Sequence, residues 1–252
     1  MSCRRRVWAA VRSAAALCLC CVCVPLGSAR ANDFDDPRIM LFSGRDIWRN
    51  GAFAYGGLIV APSGLDRDGL LLKVLLSGGL YRYDAQNLGG ERVVGAEWLT
   101  NILPGWRIKR GNAEFKVFMG PEIQNHYLRP DDSAKRLRGY SYGLRVAAEA
   151  WYEPTAETMI AADVSLSSIA TSNSARAAYG WRVLEEMLGG IYFGPEFQYF
   201  GSNGYRHSRL GMHVTSMKTE DSEWSAAAGW ARDSTGRSSP YMRLGILKPA
   251  VT

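Results

Sequence analysis

The sequence predicts an all-β protein, an antiparallel up-and-down transmembrane β-barrel of about 12 strands (10–12). Three observations point there. Apolar and polar residues alternate with a period of two in one segment after another. Clusters of turn-forming residues separate these segments, and aromatic residues gather at their ends.

The chain begins with an export signal, read over residues 1–31. Arg4, Arg5, Arg6 and Arg12 form a positive stretch, and the uncharged apolar run 13–26 follows. Ala29 and Ala31 are the small residues of a cleavage site before Asn32. The run falls short of the roughly 20 residues of a spanning helix. Leu17, Leu19, Cys20 and Val22 precede the cysteines where a lipoprotein would need a small residue. Residues 32–252 are then expected to form a single outer-membrane barrel domain.

The clearest strand is 139–152. Tyr140, Tyr142, Leu144, Val146, Ala148, Ala150 and Tyr152 fall on one face, with Ser141, Gly143, Arg145, Ala147, Glu149 and Trp151 on the other. Rings at both ends of an aliphatic face suit a strand crossing a bilayer, because amphipathic rings settle at the two interfaces. The pattern returns at 54–60, 70–83, 93–101, 114–127, 158–168, 175–183, 191–200, 205–217, 224–230 and 241–247, with a weaker first strand at 38–48. Gly, Pro, Asn, Asp and Ser clusters end the strands at 62–64, 66–69, 110–112, 130–133, 201–204 and 233–236. One short helical turn is read at 184–188.

A soluble sandwich or lipocalin-like barrel would turn the apolar face inward; a membrane barrel turns it toward lipid. Sparse polar faces of Gly, Ala and Ser with isolated charges favour the membrane orientation. The lumen set is then Lys73, Glu97, Glu114, Lys116, Glu122, Arg145, Glu149, Asp163, Arg176, Arg182, Glu196, Arg209 and Arg243, with both signs present for pairing. The ending 247–252 lacks the terminal aromatic usual in barrels, so the assembly signal is placed in 241–247.

Composition narrows the function. The five cysteines all lie within the first 23 residues, which excludes a disulfide scaffold or a cysteine nucleophile in the barrel. Five arginines and no acids precede residue 32. The whole-chain balance of 30 basic and 24 acidic residues therefore becomes 25 against 24, and nucleic acid is not an expected partner. HExxH and P-loop motifs are absent from the sequence, as are GxSxG and GxGxxG in a strand-to-helix context. His126 is read as a loop residue at a strand end, while His207 and His213 face inward. No catalytic residue, cofactor or metal site is expected.

An internal echo joins 118–124 (FMGPEIQ) to 192–198 (YFGPEFQ). In both, Pro falls on the apolar face and Glu and Gln on the inner face, so each proline should mark a bulge or local break. Each Glu is expected to pair with a lumen arginine. The candidate glucan-contacting lumen residues are Glu122, Gln124, Trp151, Tyr192, Glu196 and Gln198.

The segments 46–57 (DIWRNGAFAYGG), 68–73 (DGLLLK) and 79–83 (GLYRY) resemble the cellulose biosynthesis protein BcsS family. That resemblance implies an exported protein acting in cellulose or exopolysaccharide biosynthesis or export. The partners it implies are outer-membrane lipid, cellulose or a related glucan, and the cellulose synthase machinery. It carries over no catalytic residues. The alternatives are a small general porin or structural barrel, and an outer-membrane lipid hydrolase or acyltransferase.

Overall fold

The computed structural model describes residues 37–135, 137–184, 190–219 and 221–250. The export signal and its cleavage site lie outside these residues, as does all of the helical turn read at 184–188 except Leu184. Twelve strands follow in chain order: β1 Ile39–Trp48, β2 Gly51–Val60, β3 Gly69–Ala85, β4 Glu91–Arg110, β5 Ala113–Arg129, β6 Gly139–Thr155, β7 Thr158–Ser167, β8 Asn173–Val183, β9 Ile191–Ser202, β10 Tyr205–Thr219, β11 Ser222–Asp233 and β12 Ser238–Ala250. Each pairs antiparallel with its sequence neighbours, and β12 returns to β1, so the barrel is closed. Closure satisfies the backbone polar groups that an open edge would expose to hydrocarbon.

The outward orientation of the apolar face is observed directly. Leu144, Val146 and Val164 are 59%, 46% and 49% exposed. Tyr140, Tyr142 and Tyr152 stand exposed at the two ends of β6, with the aliphatic residues between them. A water-soluble β-protein would bury these side chains. Inside, small apolar clusters occupy the ends of the lumen and charged groups its middle. Ala61, Leu71, Leu103 and Phe118 form one cluster, against which Leu65 of the β2–β3 connection packs. The same connection is held by buried Arg107 of β4, whose guanidinium donates to the carbonyls of Gly64 and Arg67.

Pro104, Pro121 and Pro195 perturb the sheet without shifting it. β4 continues through Pro104 to Arg110, beyond the end expected at Asn101. Pro104 pairs with Leu72 of β3, so its missing N–H disturbs only the other side, toward β5. The β4–β5 ladder is interrupted between Asn101↔Glu122 and Gly105↔Phe118, and the register is the same on both sides of the gap. The β8–β9 ladder is interrupted in the same way between Ala178↔Glu196 and Trp181↔Phe193. The prolines of the echo therefore mark local breaks. The preceding glycines permit them: a Cβ on Gly120 would lie 2.1 Å from the Ile102 carbonyl oxygen, and one on Gly194 2.0 Å from that of Tyr179. Register shifts fall between Val214 and Met217 and, across Pro154, between Tyr152 and Thr155.

At the end of the barrel opposite the termini, the β5–β6 loop is organised by Asp132. Its carboxylate accepts from Tyr83 Oη at 2.7 Å, Asn87 Nδ2 at 2.8 Å and the Ala134 amide at 3.1 Å. The Tyr83 hydrogen bond, followed by those from Asn87 and Ala134, holds this carboxyl below its ordinary range. A lowered folded value means the loop is stabilised above the ordinary carboxylate range and loses that contribution as pH falls through the lowered value. Hydrogen exchange corrected for intrinsic rate should show the Ala134 amide protected at neutral pH and released in strong acid, with Asp132→Asn removing the dependence. Separately, Val146→Arg on the lipid-facing surface should cost about 2–4 kcal/mol in unfolding from lipid vesicles.

Candidate functional site

The lumen charges sit on strands whose inner positions alternate with greasy outer ones, so each long polar side chain has only the barrel interior to enter. All thirteen residues of the expected lumen set have the inward parity. Arg182 stands exposed where β8 ends. Lys73 pairs with Glu149 and Lys116 with Glu114, and two larger networks are each built around one glutamate of the echo.

The first surrounds Glu122, whose side chain is fully buried. Arg145 binds it through both nitrogens of a fork, Nη2 to Oε1 at 2.7 Å and Nε to Oε2 at 3.0 Å. Gln124 Nε2 donates to Glu122 Oε1 at 2.6 Å, and His126 Nε2 lies 3.2 Å from Gln124 Oε1. Tyr81 Oη lies 3.2 Å from His126 Nδ1. One proton assignment satisfies this chain: Tyr81 donates to His126, and His126 donates to Gln124. His126 is thus a buried inner-face residue of β5 and not part of a loop. The strand runs three residues beyond it, because the polar surroundings at this height are a lumen wall and not bulk water.

The second network surrounds Glu196, also fully buried. Arg176 Nη1 and Arg243 Nη2 donate to Oε2 at 3.1 and 2.6 Å, and Gln198 donates to Oε1. Arg176 Nε also donates to Asp163 at 2.6 Å. Arg209 donates to Asp46 of β1 at 2.6 and 2.8 Å and to Gln198 Oε1 at 3.3 Å. These bridges cross intervening strands: Arg243 of β12 reaches β9, and Arg209 of β10 reaches β1. They can do so because the inner positions between them, such as Gly211, Ala227 and Gly229, are small.

The six candidate residues fall into three pairs. Glu122 bonds Gln124, Glu196 bonds Gln198, and the rings of Trp151 and Tyr192 meet edge to face at 5.9 Å. Trp151 and Tyr192 lie toward the terminus-bearing end, where Tyr192 is buried with Met159, Ala161 and Ala178 and Trp151 stays partly exposed. The two glutamates meet arginines, as the sequence led us to expect, and their oxygens are occupied by protein donors. His213 Nε2 faces the Tyr179 carbonyl at 3.1 Å, and His207 is surrounded by Trp48, Phe200 and Tyr205. Asp46 and Arg107 were missed from the sequence: neighbouring Ser43 and Arg45 obscure the apolar face of β1, and Arg107 lies past Asn101, where the expected strand ended.

The model of the family described as cellulose biosynthesis protein BcsS matches residues 40–250. The chain belongs to the BcsS family. The match runs from the first strand of the barrel to the last. No curated protein matches this BcsS-family chain. Among solved structures, the β domain of the Bordetella autotransporter Brka is similar at a TM-score of 0.51 and 10% identity, covering 86% of this chain and 100% of that one. LpxR from Salmonella typhimurium gives a TM-score of 0.47 at 11% identity over 83% and 99% of the two chains. KdgM porin gives 0.44 at 8% over 84% and 99%. This BcsS-family member is therefore a closed twelve-stranded barrel of the outer-membrane type.

Glu196→Gln should leave half-buried Arg243 without its carboxylate and half-buried Arg176 with Asp163 alone, and cost about 3 kcal/mol in denaturant unfolding, toward the low end for a broken buried pair because both arginines keep some water. The double variant Glu196→Gln/Arg243→Met should recover part of that loss, as measured by a double-mutant cycle.

Proposed function

We propose that the protein is exported by its N-terminal signal and inserts in the outer membrane. There it serves, without catalysis, as a passage or anchoring barrel for cellulose or a related exopolysaccharide, in partnership with the cellulose synthase machinery. One observation carries this reading: the family match and the barrel are coextensive, residues 40–250 against strands spanning 39–250. The cellulose-related role therefore belongs to the barrel itself. The lumen chemistry supports a structural part for the acids. Glu122 and Glu196 are neutralised by arginines and shielded from solvent, which suits a scaffold better than a general acid or base. The hydrogen-bond partners of His126 and His213 are an amide, a phenol and a backbone carbonyl, with the Glu97 carboxylate 3.8 Å from His126 Nδ1, and their hydrogen bonding suits structural histidines.

Sugar rings offer C–H faces that pack on aromatic rings, and hydroxyls that need hydrogen-bond partners. The partly exposed Trp151, braced by Tyr192 and by its own N–H to Glu153 Oε1 at 3.1 Å, presents such a ring inside the lumen. Farther along the lumen the Glu122–Gln124 pair would form part of the wall. In a strain lacking the endogenous gene, complementation with Trp151→Ala should weaken glucan binding about three- to tenfold and lower cellulose output, with heat-modifiability of the barrel retained. Unchanged output and unchanged glucan binding would remove Trp151 from the reading.

A further inference from the structure

The rim opposite the termini carries a cluster of arginines that the lumen networks do not use. Above the two-residue β1–β2 turn lie Arg49, Arg82, Arg92, Arg232 and Arg237. Arg82 donates through Nε and Nη2 to the Arg49 carbonyl at 3.0 and 2.6 Å, which draws the end of β3 over the turn. Arg237 Nη2 and Arg92 Nε contact Asp84 at 2.9 and 3.2 Å. Asp233 accepts from Asn50 at 3.3 Å and, through its other oxygen, from Thr235 and the Arg237 amide. Five guanidiniums thus face two carboxylates, both already hydrogen-bonded. The side chains of Arg49 and Arg232 have no partner among the described residues.

Two further features make this a place for a ligand. A notch between the β1–β2 turn and the β11–β12 loop is lined by Arg49, Arg232 and Arg237 together with Asn50, Ser238, Ser239 and one carboxylate, Asp233, so three cations face a single acid there. His207 lines it as well; it is 93% buried, and its Nδ1 has no hydrogen-bond partner among the described residues. The arginines also hold a fixed position against the apolar belt. Arg49 follows exposed Ile47 by one outward step of the pleat, Arg82 follows Leu80, Arg232 follows Trp230, and Arg92 precedes Val94. At the terminus-bearing end the corresponding cations are engaged: Arg110 pairs with Asp68, and Lys248 lies 3.9 Å from Asp221.

We propose that this notch binds the phosphate of a phosphorylated glycolipid in the leaflet that surrounds the rim, a proposal that rests on the outer-membrane reading above. The guanidinium fork matches a phosphate with two parallel hydrogen bonds. A lipid is selected over a soluble anion because the arginines stand one step beyond Ile47, Leu80 and Trp230, whose exposed side chains receive the acyl chains. A glycolipid is selected over a simple phospholipid because Asn50, Ser238 and Ser239 place neutral hydrogen-bonding groups beside the charges, where sugar hydroxyls would lie.

Native mass spectrometry of the full-length protein in detergent tests this with bisphosphorylated lipid A, dephosphorylated lipid A, phosphatidylglycerol and inorganic phosphate as separate probes. The wild type should retain bisphosphorylated lipid A in preference to the other three. Arg49→Gln/Arg232→Gln should weaken retention about ten- to a hundredfold, as expected for loss of charge-assisted bonds. Arg110→Gln at the other rim should retain lipid A as the wild type does. Equal retention of the dephosphorylated lipid, of phosphatidylglycerol or of inorganic phosphate overturns the proposal, as does undiminished retention by the double variant. Heat-modifiability on a gel verifies that each variant is folded. Membrane fractionation tests the location independently, so a failure of that reading is seen apart from the detergent result.

Discussion

Every strand of this protein has to satisfy two media at once. Hydrocarbon on one side forbids unpaired backbone and charge, while the enclosed side must pair whatever charge the sequence places there. The closed twelve-strand ladder answers the first demand and the arginine–carboxylate networks answer the second. Buried ion pairs of this kind add little net stability compared with apolar packing, but their geometry is demanding, and that demand fixes which strands face one another across the lumen.

The echo between β5 and β9 shows how one local solution is used twice. An aromatic residue anchors an apolar cluster near the terminus-bearing end, as Phe118 and Tyr192 do. Gly-Pro then opens the ladder on one side, and a Glu–Gln pair two residues apart receives an arginine from a neighbouring strand. The break and the charge are coupled by position. Where the backbone gives up ladder hydrogen bonds, the side chains immediately beyond rebuild cross-strand ties within the lumen.

Much of this was legible in the sequence because a strand buried in lipid on one face writes its period plainly. All twelve strands were recovered, and 139–152 was read with its faces the right way out. Ends were less legible. The strand expected to end at Asn101 runs on through Pro104, because one ladder neighbour suffices to carry β4 onward. The pairing of Glu122 and Glu196 with arginines followed from inward parity alone. That Glu196 would meet Arg243 did not, because Arg243 crosses two intervening strands and that reach depends on the absence of side chains along the way. His126 was placed in a loop because its neighbour Tyr127 looked like an interface ring, when β5 in fact runs on past both.

The bridge from Arg209 to Asp46 straddles the seam where the first and last strands meet, and the bridge from Arg243 to Glu196 ties the last strand back to β9. Neither can exist in a nascent chain whose final hairpin has not yet arrived. They act as a latch that engages only on completion, so a half-zipped intermediate carries unmatched guanidiniums and acids in its open trough and remains distinguishable, energetically, from the finished cylinder.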